Sequence, residues 1–99
     1  MATLFVADIP ERRVSLETAA SAGDWPLVGR TVHTLAGSAA AVGAAALLET
    51  ARRLETAVAE VATETVRRLL PDFLTELDRV LRGLQAFLAR VAAAPPAAP

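Results

Sequence analysis

Apolar residues recur along this chain at alternating intervals of three and four, and each run is closed by a turn signal. Trp25, Val28, Val32, Leu35, Ala39 and Val42 are spaced 3, 4, 3, 4, 3. Ala44, Leu47, Ala51, Leu54 and Val58 follow at 3, 4, 3, 4. A longer run, Val66, Leu70, Phe73, Leu77, Val80, Leu84, Phe87 and Val91, is spaced 4, 3, 4, 3, 4, 3, 4. Such a pattern falls on one face of an α-helix and alternates between the two faces of a strand, so it predicts helices with one buried stripe each. Gly23-Asp24, Gly43 and the Val61-Ala62-Thr63 stretch separate the runs. Asp24 suits an N-cap with Pro26 in the first turn, Gly43 suits a tight helix–helix connection, and Thr63 can cap the last helix.

The segment ahead of Gly23 carries a fourth, weaker pattern. Phe5, Ile9, Leu16 and Ala20 can share a face, and the helix should end at Ala22 or Gly23. Asp8 and Glu11 have the spacing of a capping box, with Pro10 in the first turn, so the main helix is expected to begin there. Residues Thr3 to Ala7 would add a turn or two before a bend at Pro10. The last stripe keeps its phase across Pro71, which predicts a kink and not a break. Four amphipathic segments joined by short links predict an all-α, antiparallel up-down four-helix bundle over residues 1–91. Residues 92–99, all Ala or Pro, read as a disordered tail or the start of a linker.

Composition narrows the chemistry. With 99 residues the chain supports one domain, and its 23 alanines favour helix. There is no Cys and only one His, which excludes a disulfide framework, a thiolate zinc site and a multi-histidine metal site within one chain. No metal and no cofactor is expected. A formal net charge of −1 argues against general nucleic-acid binding. The uncharged stretch Thr31 to Leu48 is 18 residues long, but it holds only five apolar residues larger than Ala and lacks aromatic anchors. It reads as core, without membrane insertion. The N-terminus lacks the basic region of a signal peptide, so a cytoplasmic location is the expectation. All ten basic residues are Arg, which fits codon bias in a GC-rich genome. Glu49–Arg53, Glu64–Arg68 and Asp78–Arg82 have the favourable i,i+4 order and read as solvated helix decoration.

His33 follows the stripe residue Val32 and therefore sits about 100° round the helix, beside the core. Its same-face neighbours are Gly29, Arg30, Ala36, Gly37 and Ala40, four of which have no side chain larger than methyl. Gly37 costs about 1 kcal/mol relative to Ala in a helix interior. Its presence suggests close approach, either by another helix or by an external partner reaching the imidazole. His33 lies ten residues before Gly43 and Glu55 twelve after it, so an antiparallel hairpin sets them at similar heights. Glu55 follows Leu54 as His33 follows Val32. The carboxylate could then accept from Nδ1–H, fixing the tautomer and leaving Nε2 as a neutral nucleophile. A lone His on a helix flank is equally compatible with a surface residue that has no task.

His33-Thr34-Leu35-Ala36-Gly37-Ser38-Ala39, then Gly43-Ala44, Leu47 and Leu54-Glu55, resembles the signature of histidine-containing phosphotransfer domains. That pattern runs His-x-Leu-Lys-Gly-Ser-(Ser/Ala), then Gly-Ala, Leu and Leu-Glu. Ala22-Gly23-Asp24-Trp25 is similar to the turn before the family's active helix. The resemblance covers residues 4 to 91. It implies a covalent phosphoryl carrier in a two-component relay, without enzymatic turnover of its own. It further implies that His33 is the phosphoacceptor, that Glu55 orients the imidazole, and that Gly37 leaves room for the phosphorylated ring. The implied partners are response-regulator receiver domains, which would supply Mg2+, and a hybrid sensor kinase, of which the domain could be a part. A receiver should meet the face around Gly29, Arg30, Ala36, Ala40 and Arg52.

One position departs from the pattern. The usual Lys three residues after the His is Ala36 here. The lost charge is worth on the order of 1 kcal/mol at an exposed site, which weakens transfer without forbidding it. Arg30, one turn before His33, could partly substitute. The departure also keeps open an alternative: an HPt-like binding module that docks a receiver or other partner without phosphotransfer.

Overall fold

A computed structural model describes the backbone of residues 2–93 and the side chains of residues 7–93. Helix α1 spans Ala2–Ala22, α2 Trp25–Ala41, α3 Ala45–Ala59 and α4 Thr63–Ala93. Each helix packs on its neighbours in sequence and α4 returns against α1, with no diagonal pairing among the described residues. This closed ring is the all-α up-down four-helix bundle.

All three connections use the same Schellman geometry. After α1, the Asp24 N–H donates to Ala19 O at 2.8 Å and the Gly23 N–H to Ala20 O at 3.1 Å. After α2, the Ala44 N–H reaches Ala39 O at 2.9 Å and the Gly43 N–H reaches Ala40 O at 3.2 Å. After α3, the Ala62 N–H reaches Ala57 O at 2.9 Å and the Val61 N–H reaches Val58 O at 3.0 Å. The motif needs one left-handed residue, which glycine adopts without strain. Gly23 and Gly43 supply it with φ +72°, but the third turn places Val61 there with φ +54°. A β-branched residue in that region is strained by about 1–2 kcal/mol.

The caps differ in detail from the sequence expectation. Asp24 caps α2, its carboxylate accepting from the Leu27 N–H at 3.2 Å, with Pro26 in the first turn. Thr63 is already inside α4, and the Ala62 carbonyl one residue earlier takes the first helical bond, from Val66 N–H. Asp8 does not begin a helix, because α1 runs through Pro10 without interruption. Within α1, Asp8 pairs with Arg12 instead. A proline removes one N–H and crowds one carbonyl, and the remaining helical bonds carry the segment across. Helix α4 likewise continues through Pro71 to Ala93, two residues beyond the expected end of the domain. The proposed tail residues 94–99 and the side chain of Phe5 lie outside the described residues.

The core is built mainly from the stripes. Ile9, Leu16, Val28, Val32, Leu35, Leu47, Leu54, Val66, Phe73 and Leu77 are fully buried, with Ala39 and Ala51 filling the narrow layers between them. Phe73 is the largest of these side chains. The α4 stripe is covered only in part. Leu70, Val80 and Leu84 are half-buried, and Phe87 and Val91 are 50% and 57% exposed. The surface pairs also regroup. Arg53 bonds Glu49 at 2.9 Å as expected, but Glu64 takes Arg67 and not Arg68. Asp78 reaches across to Arg13 of α1 at 3.2 Å and not to Arg82. Arg13 also donates to Leu74 O, so one guanidinium ties α1 to α4 at two points.

Candidate functional site

Helices α2 and α3 approach closely along the face that carries His33. A Cβ added at Gly29 would lie 3.2 Å from Val58 Cγ1, tighter than ordinary packing. The glycine thus lets the helices meet. Four residues further along α2 and three back along α3 lie His33 and Glu55. Their Nδ1 and Oε2 atoms are 3.1 Å apart. An ionised carboxylate can only accept, so a neutral imidazole in this contact carries its hydrogen on Nδ1 and presents the Nε2 lone pair. The His33 side chain is 79% exposed and that of Glu55 31% exposed. The carboxylate is seated against α3 while the imidazole stands out from α2.

An open groove surrounds the pair. Pro26, Gly29, Arg30 and Thr34 of α2 and Val58 and Ala59 of α3 line it with His33 and Glu55. Its floor is mainly apolar, and its two charged residues are Arg30 and Glu55. The Thr34 hydroxyl donates to Arg30 O at 3.1 Å, a bond within the helix that commits its proton. On the other side of His33, a Cβ at Gly37 would meet nothing within 4 Å. Among the described residues no other helix packs against that position, so the reading of Gly37 as a helix-contact glycine does not hold. Ala40 and Ala41 beyond it are exposed as well.

Two residues expected on the docking face lie elsewhere. Ala36 is only 6% exposed and belongs to the core cluster. It stands one turn beyond Val32 and next to Leu35, and the rotation of α2 turns its methyl inward. Arg52 lines a separate groove between α3 and α4, with Glu49, Arg53, Thr56 and Leu69 among its neighbours. The face around His33 instead includes Pro26, Val58 and Ala59, which the sequence reading did not select. Their signal was available: Val58 closes the α3 stripe, and a stripe residue opposite a glycine marks a groove edge.

An imidazole held by a carboxylate at Nδ1, with its other nitrogen free on an uncluttered helix, is a nucleophile without further catalytic equipment. The Hpt domain family model matches residues 1–94. The chain belongs to the Hpt domain family. Its histidine phosphotransfer fold accounts for the four helices, and Hpt domains are phosphoryl carriers, not classical enzymes, that interact with receiver domains in phosphorelays. No curated protein and no solved structure matches the chain. Among the described residues, no helix is long and apolar enough to cross a membrane.

Proposed function

We propose that this Hpt domain carries its phosphoryl group on Nε2 of His33, between the aspartates of receiver domains. The observation that carries the reading is the 3.1 Å contact between His33 Nδ1 and Glu55 Oε2 beside a largely exposed ring. The Nε2 lone pair attacks the phosphorus of a receiver aspartyl phosphate in line. The N–P bond forms as the P–O bond breaks, and the aspartate carboxylate leaves with the electron pair. No proton needs to leave the nucleophile. The ring gains positive charge as the bond forms, and the Glu55 carboxylate, bonded to Nδ1–H, stabilises it. Reversal returns the group to an aspartate.

Positioning and charge stabilisation dominate phosphoryl transfer, so the carrier can leave the metal to its partner. The receiver supplies Mg2+, and the exposed Gly37 side leaves space for the phosphorylated ring. The domain works in the cytoplasm, alone or as part of a hybrid sensor kinase.

The test uses a panel of receiver domains from the same organism, each charged from labelled acetyl phosphate. Acid-labile, base-stable label should appear on this domain, and His33→Ala should abolish it. A receiver that binds tightly while no label transfers at any time would falsify the carrier reading and favour a docking module.

A further inference from the structure

We infer that Arg30 is the group that binds the phosphoryl oxygens at His33, an inference that rests on His33 being the phosphoacceptor. Phosphoryl charge arriving at Nε2 needs a partner, and among the described residues the groove around the ring holds one cation, Arg30. Arg30 lies one turn before His33 on α2, where side chains three apart are neighbours on the helix surface. Both line the same groove. The only other charged group there, Glu55, is engaged with Nδ1. None of the ion pairs among the described residues involves Arg30. Its guanidinium is exposed and available.

The remaining candidates fall away on geometry. Arg52 and Arg53 border the groove between α3 and α4, and Arg53 is tied to Glu49. The Thr34 hydroxyl donates into its own helix. Ala36 faces the core, and Gly37, Ala40 and Ala41 carry no polar side-chain atoms. Among the described residues, the positive charge at this site therefore lies on the N-terminal side of His33, beside the apolar residues Pro26, Val58 and Ala59. A guanidinium suits that place. Its planar fork can give two parallel hydrogen bonds to a phosphoryl group. At this exposed site water and salt weaken the attraction, so its contribution is modest.

Phosphoramidate, a small phosphodonor, tests this on the full chain without a receiver. The Nε2 lone pair attacks its phosphorus, the P–N bond breaks, and ammonia leaves with the electron pair. Loading is followed by mass spectrometry and by the phosphorus resonance of phosphohistidine. Arg30→Ala should slow loading about threefold to fivefold at low ionic strength. Arg30→Lys should recover most of the rate, and added salt should shrink the difference between wild type and Arg30→Ala. Placing the charge on the other side, in Arg30→Ala/Ala36→Lys, should restore part of the loss, since a lysine stem can reach out from a buried site. A merely structural arginine would give neither the salt dependence nor the rescue. Equal loading of wild type and Arg30→Ala, with label on His33, overturns the role of Arg30 alone. Failure of the wild type to load at His33 overturns the carrier reading and this inference with it.

Discussion

The α2–α3 hairpin and the α1–α4 pair are built from the same periodic pattern and come out differently. In the hairpin the stripes meet along their length, Gly29 lets the backbones approach, and the turn at Gly43 sets the register. Among the described residues, the stripe of α4 is covered along only part of its length, with Phe73 fully buried and Phe87 half exposed. The guanidinium of Arg13, held by Asp78 and Leu74 O, links α1 to α4 beside the buried Phe73 and Leu77. A helical stripe therefore states which face is apolar, while burial depends on how far the neighbouring helices extend. The site lies on the hairpin, where a short turn and close packing hold two side chains from different helices at hydrogen-bond distance.

The sharpest way to break this comparison is to truncate two phenylalanines of one stripe. Phe73→Ala should cost about 3–5 kcal/mol, because it opens a cavity among fully buried side chains. Phe87→Ala, at a half-exposed ring, should cost about 1–2 kcal/mol at most. Urea denaturation with unchanged slopes would measure both. A loss of several kcal/mol at Phe87 would mean that the end of α4 is covered in solution and that the two regions pack alike.

The hairpin makes its own, smaller prediction. Glu55→Gln keeps size and replaces a charged acceptor with a neutral amide. It should leave stability within about 0.5 kcal/mol, since the carboxylate is partly exposed. Phosphorylation of His33 should nonetheless slow by about threefold to tenfold, the loss expected when a charge-assisted bond becomes a neutral one at a solvated site. Phosphoramidate loading measures this directly. An unchanged rate would show that the contact with Nδ1 holds the ring without helping the chemistry.

Much of the hairpin was legible in the sequence. Val28, Val32, Leu35, Ala39, Leu47, Ala51 and Leu54 are buried as their spacing predicts. The meeting of His33 and Glu55 follows from counting residues on either side of Gly43. What the sequence hid depends on relations between helices. The rotation of α2 that buries Ala36 is set by packing on its two neighbours, α1 and α3, and a residue at the stripe edge can go either way. The partner of Asp78 lies on another helix, beyond the reach of i,i+4 spacing. Asp8 and Pro10 mimic a helix start because local capping chemistry cannot report that the helix has already begun.

The turn that joins the two regions gives the smallest and cleanest contrast. Gly43 and Val61 occupy the same place in the same hydrogen-bonded motif, with φ +72° and +54°. Val61 is 74% exposed, so little packing offsets its strain. Val61→Gly should relieve about 1–2 kcal/mol of backbone strain but loosen the unfolded chain, for a net gain of about 1 kcal/mol or less. The reverse exchange, Gly43→Val, should lose stability by about the amount that Val61→Gly gains. It should also loosen the register on which the His33–Glu55 contact depends. Thermal melts of the two variants, read beside the phosphorylation rate, separate the effects. Val61→Gly should raise the midpoint and leave the rate alone, whereas Gly43→Val should lower both. Equal behaviour of the two would show that the register of the hairpin is held by its packed seam and not by its turn.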